Sequence, residues 1–255
     1  MALTNEEIGE QVERIGAAAP FHGASTERAR QPFALERTWR EGARYVGLRI
    51  RVDDVYAAAY QRPGQYTTLQ VGEQAARFFA IASAPGAGTG WEFLVDAESE
   101  AGLLFDALAD KTPIAVSMPE GRGFPVEQAV ARPVLLFTTG SGVATMRACL
   151  DYWERNPQLR PSAAALYYGE ASGADFAFCE DLERWRAWGV RVFLAQGQCE
   201  DPTTGYRYVQ QAFEADRPLL EDAFVFLSGA SVMLRAVAEK LLLLGVSPQQ
   251  LFTNV

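Results

Sequence analysis

The chain has 255 residues, 49% hydrophobic and 22% charged, with a formal net charge of −9. That balance is ordinary for a globular protein with ample core, and its sign excludes nucleic-acid binding through a general positive field. One histidine and three scattered cysteines (Cys149, Cys179, Cys199), with no CxxC pair, exclude a zinc centre or a cysteine-ligated iron–sulfur cluster built within this chain.

The N-terminal stretch MALTNEEIGEQVERIG is acidic and helix-like rather than charged-then-apolar. Residues 1–31 are therefore expected to form a short amphipathic helix and a polar loop, a partly ordered tail. No apolar run approaches membrane-spanning length, since Leu241 to Leu244 ends at Gly245. Together with the scattered cysteines this predicts a cytoplasmic chain without a membrane span.

From Phe33 the pattern becomes strand-like. FALERTW and RYVGLRIRV alternate apolar and polar residues with the period of half-buried antiparallel strands. Tyr66–Val71, Arg77–Ala82 and Glu92–Val95 continue the pattern, punctuated at Arg62-Pro63-Gly64 and Ala84-Pro85-Gly86. A helix over Gly102–Leu108 and a strand over Ile114–Ser117 complete a small antiparallel barrel, residues 32–130.

After Arg132 strands and helices alternate. The strands are Val134–Thr138, Ala164–Tyr168, Val190–Ala195 and Phe224–Leu227; the helices are Val143–Glu154, Asp175–Ala187, Val209–Ala215 and Val232–Leu244. This predicts an α/β doubly wound parallel sheet over residues 131–255. It opens with Thr138-Thr139-Gly140-Ser141-Gly142, which passes from an apolar strand straight into a helix. Glycines there allow a sharp turn and close approach, and the helix start favours an anion, so the turn suits a phosphate. Only two glycines of a full GxGxxG are present, and an ordinary strand-to-helix turn has the same outline.

The order of four segments resolves that ambiguity. Pro63-Gly64-Gln65-Tyr66 resembles a PGQY turn, and Arg77-Phe78-Phe79-Ala80-Ile81-Ala82-Ser83 resembles an RxYSIAS segment. Thr139 to Arg147 resembles a TGSGIAPMR loop, and Ser228 to Met233 stands where CGPxxM is expected. A barrel followed by a doubly wound domain carrying these motifs in this order is similar to the ferredoxin–NADP+ reductase family of flavin oxidoreductases.

The resemblance implies FAD on the barrel and NAD(P)H on the parallel sheet, with electrons passed to an external acceptor. Arg77, beside Phe78 and Phe79, would take the flavin pyrophosphate, and Phe79 would stack on the flavin ring. Read without the motif, Arg77 is a surface strand arginine and Phe79 is barrel core. Ala80 stands in the place of a serine near flavin N5. The backbone of Ala82, Ser83 and Pro85 would contact the flavin, and Gly102 and Leu103 would open a helix near its pyrophosphate. Thr139, Gly140, Ser141, Gly142, Val143 and Ala144 would hold the nicotinamide dinucleotide's phosphates, with Gly229 and Met233 beside its nicotinamide. Gly169 and Glu170 follow the second strand; a carboxylate there suits a ribose diol, which favours NADH.

The departures fall at chemically important places: Phe79 for tyrosine, Ala80 for serine, Thr145 for proline, Ser228 for cysteine and Ala230 for proline. The loop Glu98-Ser99-Glu100 puts two carboxylates where an anion is expected, unless they point away. Phe252-Thr253-Asn254-Val255 stands where the resemblance expects a terminal Tyr or Trp over the flavin, which leaves the flavin's outer face open or covered by Phe252. These substitutions leave a second reading open, a flavin-poor subunit that binds nucleotide or a partner protein.

Overall fold

A computed structural model of the chain describes residues 3–17, 29–199 and 205–254. Two sheets carry it. The first, six-stranded and antiparallel, has the order β4-β3-β6-β1-β2-β5, with β1 Arg30–Glu41, β2 Tyr45–Arg51, β3 Tyr66–Gln70, β4 Arg77–Ala80, β5 Gly90–Asp96 and β6 Pro113–Ser117. Beyond β4, the Ala82 N–H donates to the Glu92 carbonyl at 2.8 Å, bringing that edge round to β5 and closing the sheet toward a barrel. Leu35, Val46, Leu48, Ile50, Trp91 and Phe93 fill the interior.

Strand β2 is less half-sided than its alternation predicts. Tyr45, Val46, Gly47 and Leu48 are all buried. Val46 and Leu48 point into the barrel, Trp39 lies over Gly47, and Tyr45 belongs to the core of the second sheet. The opposite face of β2 is covered by protein rather than water, which a single strand's pattern does not reveal.

The second sheet is parallel, with order β11-β10-β7-β8-β9: β7 Pro133–Thr139, β8 Ala163–Glu170, β9 Arg191–Gln196, β10 Phe224–Ser228 and β11 Leu251–Thr253. Its central strands read as unbroken apolar runs because helices cover both faces. Helices α4 (Val143–Arg155) and α5 (Cys179–Ala187) pack on one face; α6 (Val209–Asp216) and α7 (Ser231–Leu243) pack on the other. The chain steps outward from β7 to β9 and then returns through α6 to β10, beside β7. The sheet order therefore reverses between β7 and β10, where the carboxyl ends of two adjacent strands part to leave a crevice.

Three features depart from expectation. Helix α1 (Asn5–Ala17) is not a tail, since Ile8 and Ile15 are buried in the core that α7 shares, and Glu13 pairs with Arg235 at 3.3 Å. The loop expected after it falls largely on residues 18–28, outside the described residues. Helix α2 (Asp54–Ala59) sits between β2 and β3, started by Asp53 accepting from the Tyr56 N–H at 2.8 Å. Helix α5 begins at Cys179 rather than 175, because residues 173–175 form a separate turn and Phe178 is left-handed (φ 59°). The remaining short helix of the barrel, α3, spans Glu100–Asp106. Among the described residues no helix is long and apolar enough to cross a membrane.

The two sheets share one interface. Phe124 of the barrel stacks on Phe226 at 4.7 Å, and the Trp153 indole donates to the Val126 carbonyl at 3.2 Å. A row of ion pairs also crosses it, through Arg49, Glu92, Arg147 and Asp181.

Candidate functional site

A cleft of about 950 Å³ opens where the carboxyl ends of β7, β8 and β10 face β4 and β5 of the barrel. That is a volume suited to a large organic ligand. On the sheet side β7 runs into Gly140, whose φ of +61° is the left-handed conformation that glycine adopts without strain. The turn 140–142 delivers the chain into α4, which has no acidic residue in its first turn. The partial positive charge of that helix start is thus uncancelled and faces the cleft. Thr145, where the resemblance expects proline, donates its hydroxyl to the Gly142 carbonyl at 2.8 Å and closes the first turn.

The other glycines of this wall serve a different purpose. A side chain at Gly142 would place Cβ 2.7 Å from the Ser228 carbonyl oxygen and 2.8 Å from the Gly229 nitrogen. Gly229 (φ +136°) would bring Cβ 2.5 Å from Thr139 Oγ1 and 2.7 Å from the Thr139 carbonyl. The two strand-end turns interlock backbone to backbone, and Thr139 Oγ1 accepts from the Ala230 N–H at 3.1 Å. Gly142→Val is therefore expected to destabilise the whole chain by about 3 kcal/mol, as overpacking against immovable groups does. Calorimetry should show a melting temperature lower by roughly 10 °C; an unchanged temperature would mean the turns separate freely.

The barrel wall is aromatic and apolar, with Phe78, Phe79, Ala80 and Leu94 facing the cleft. Phe78 packs edge-on against Tyr66 (5.7 Å) and Phe79 against Phe105 (5.7 Å). Thr139, Gly140, Ser141, Gly142, Gly169, Glu170, Gly229 and Met233 line the opposite side, so these residues and the barrel aromatics meet in one space.

Other expected residues lie elsewhere. Arg77 is exposed and paired with Glu100, so that carboxylate does not point away from the guanidinium. Ala82 and Ser83 are buried with their groups engaged: the Ala82 carbonyl accepts from Arg147, the Ser83 carbonyl accepts from the Tyr60 hydroxyl at 2.8 Å, and Ser83 Oγ accepts from the Glu92 N–H at 3.2 Å. The Gly102 N–H donates to Ser99 Oγ at 3.0 Å, capping α3, and a Cβ at Gly102 would collide with the Asp96 carbonyl. Leu103 is exposed to solvent and Val143 is in the core. Phe252 packs on Phe224 and Phe226 (4.9 and 5.8 Å) instead of covering the cleft, which Asn254 lines.

Glu170 is engaged in a way the sequence does not disclose. It is 6% exposed; Oε1 accepts from the Tyr45 hydroxyl at 2.6 Å and the Tyr168 hydroxyl at 2.7 Å, and Oε2 from Arg44 at 3.3 Å. Burial raises its carboxyl above the ordinary glutamate range, while the tyrosine hydrogen bonds and the Arg44 charge oppose the shift. Arg44 also pairs with Asp96 at 2.7 Å, and the three charged groups all reach the cleft wall.

Sequence reasoning missed the rim contributed by Arg207 and Tyr208, just before α6. Tyr208 is 55% exposed, with the Arg207 guanidinium 5.5 Å from its ring centroid. The Tyr206-Arg207-Tyr208 run before a helix start was the available signal, masked by its distance of ten residues from the end of β9.

Comparison with known proteins agrees with this geometry. Residues 136–239 match the oxidoreductase NAD-binding domain family. The chain is 27% identical over 220 residues to the ferredoxin–NAD(P)+ reductase component of the naphthalene 1,2-dioxygenase system of Pseudomonas putida, a match covering 81% of this chain and 63% of that protein. The chain thus spans under two thirds of that relative's length. Among solved structures, the flavohem-like FAD/NAD binding domain of nitric oxide dioxygenase from Vibrio cholerae superposes with a TM-score of 0.76 at 21% identity, covering 89% of this chain and 98% of that one. A ferredoxin NADP+ reductase from Neisseria gonorrhoeae with bound FAD and NADP gives 0.73 at 14% identity, with the same coverage. At these identities the two structures speak for the fold.

Proposed function

We propose that the chain is a ferredoxin–NADP+ reductase-like, NAD(P)H-dependent flavin oxidoreductase, a reading supported by the oxidoreductase NAD-binding match in its parallel half, by the similar reductase component and by the shared fold. In this reading it moves hydride between a nicotinamide and FAD and passes the electrons to an external acceptor. The observation that carries the proposal is the pairing of walls: an aromatic barrel face, Phe78 to Ala80, stands across one cleft from the Gly140 turn and Met233.

The residues present fit a dinucleotide on the sheet side. Gly140 leaves open space for a close approach, its nearest neighbour to a built Cβ being the Tyr45 hydroxyl at 3.8 Å. On the barrel side Phe79 and Phe78 suit a planar ring, and Arg77 is the cation nearest them in sequence, at present neutralised by Glu100. Bound FAD would supply the hydride acceptor. The chain's own residues hold the two rings against each other and keep water out, which is the part a protein contributes to such a reaction.

The coenzyme preference drawn from sequence weakens. Glu170 is engaged with two tyrosines and Arg44, and Arg207 brings a cation to the rim, so NADPH stands beside NADH as a candidate. The Arg77–Glu100 pair favours one alternative, a subunit that holds flavin poorly, because an internal carboxylate competes for the cation that a flavin phosphate would need.

The test is an absorption spectrum of the protein titrated with FAD, then repeated anaerobically with NADH and separately with NADPH. The expected result is flavin uptake and bleaching by at least one coenzyme. A protein that takes up no FAD at micromolar concentration overturns the oxidoreductase reading in favour of the subunit.

A further inference from the structure

We propose that Glu170 is a positioning residue that sets the width of the cleft, by bolting the barrel to the parallel sheet directly beneath the Gly140 turn. The inference rests on the oxidoreductase reading for its kinetic consequence, but its geometry stands apart from it.

One carboxylate oxygen collects two hydroxyls from opposite halves: Tyr45 from β2 at 2.6 Å and Tyr168 from β8 at 2.7 Å. The Tyr168 hydroxyl in turn accepts from the Ala177 N–H at 3.2 Å, and the next residue, Phe178, donates its N–H to Glu41 of β1 at 2.7 Å. The bonds therefore leave the barrel at Tyr45, cross Glu170 and β8, and return to the barrel at Glu41. Two further ties lie alongside, Arg44 on the other Glu170 oxygen and the Ala43 N–H on the Ala174 carbonyl at 2.8 Å.

Such a buried carboxylate is a costly way to fill space. An apolar side chain would avoid the desolvation penalty, whereas the carboxylate gives direction, because each oxygen accepts only along certain lines. Those lines fix Tyr45, whose hydroxyl lies under the Gly140 turn, and β5, which pairs with β2 and carries the cleft residues Leu94 and Asp96. Core packing holds the halves together; this network fixes their offset. Each half of the cofactor pair would rest on its own wall, so changing the offset alters ring-to-ring contact more than the affinity of either wall for its own ligand.

The experiment compares the wild-type protein with Glu170→Gln and Tyr45→Phe. With FAD loaded and saturating coenzyme, stopped-flow bleaching of the flavin should slow at least tenfold in Glu170→Gln. The dissociation constants for FAD and coenzyme should stay within twofold. The double variant Tyr45→Phe/Glu170→Gln should slow bleaching less than the two single effects combined, since both changes weaken the same network. Without cofactors, the single calorimetric transition expected of the wild type should broaden or split as the halves uncouple. A bleaching rate within twofold of wild type in both variants overturns the proposal. If the wild-type protein takes up neither FAD nor coenzyme, it is the oxidoreductase reading that fails. The calorimetry then decides the clamp alone: uncoupling in either variant supports it, and unchanged cooperative unfolding in both overturns it.

Discussion

Arg147→Ala is expected to lower the stability of the chain by about 3–5 kcal/mol, the cost of removing one partner from a buried ionic cluster. Arg147 projects from α4 into the interface with its side chain 16% exposed. It meets Glu92 of the barrel at 2.7 Å and Asp181 of α5 at 2.6 Å, with Asp151 at 3.8 Å, and its guanidinium lies 4.7 Å from the Phe178 ring centroid. Burial opposes its charge, yet the three carboxylates outweigh burial and hold the group firmly protonated. Removing it leaves those carboxylates facing one another, with Arg49 on Glu92, Arg184 on the two aspartates and the Trp185 indole on Asp151 as partial compensation.

Two companion measurements separate charge from bulk. Arg147→Met keeps much of the aliphatic stem and should lose nearly as much stability as alanine, whereas Arg147→Lys should recover part of it. The defect should also shrink in mild acid. Burial already raises the Asp151 carboxyl and Arg147 lowers it, so the variant's Asp151 rises further. A carboxyl whose folded pKa lies above its unfolded value costs stability when ionised, and the cost is relieved as pH falls through the folded pKa. Denaturant titrations near neutral pH and about pH 5 check the sign. A loss under about 1 kcal/mol at neutral pH would mean that water or local relaxation solvates the cluster.

This cluster also shows where sequence reading stops. The parallel half was legible because it is written locally: apolar runs of strand length, glycine at the turn, amphipathic periods for the helices. The Gly140 turn followed from the same patterns, whereas its place where the sheet order reverses did not. The barrel strands were legible too, but not which of their faces another layer covers, so Tyr45 looked like a half-buried strand residue instead of an interface anchor. Arg147 belonged to a motif, and nothing local said that Glu92, 55 residues away, would receive it. Glu170 and Arg77 were singled out for their chemistry, and each carboxylate or guanidinium had already found a partner, through tertiary contacts that spacing does not encode. Helix α1 was underestimated for the same reason, since its apolar stripe needs α7 to become core.

Ser141→Asp is expected to weaken binding of the nicotinamide dinucleotide by about ten- to a hundredfold, the effect of a like charge a few ångströms from a phosphate at a partly screened site. Ser141 is exposed at the mouth of the cleft, at the centre of the turn between Gly140 and Gly142, so its replacement disturbs no core contact. The fold should tolerate the change and even gain slightly, because a carboxylate before the first turn of α4 interacts favourably with the helix start. That opposition of signs makes the variant more informative than one at Gly142, whose clash with Ser228 and Gly229 would disturb both strand-end turns of the sheet wall. Fluorescence titration with NADH and NADPH should show the loss for both coenzymes, while FAD uptake on the barrel stays within twofold. The melting temperature should be unchanged or higher. Unaltered coenzyme affinity in a well-folded Ser141→Asp protein would place the phosphates away from the α4 start and remove the Gly140 turn from the binding site. Loss of FAD and coenzyme together, without loss of stability, would instead mean that both ligands approach the same turn, so that the two walls do not divide the cofactors between them.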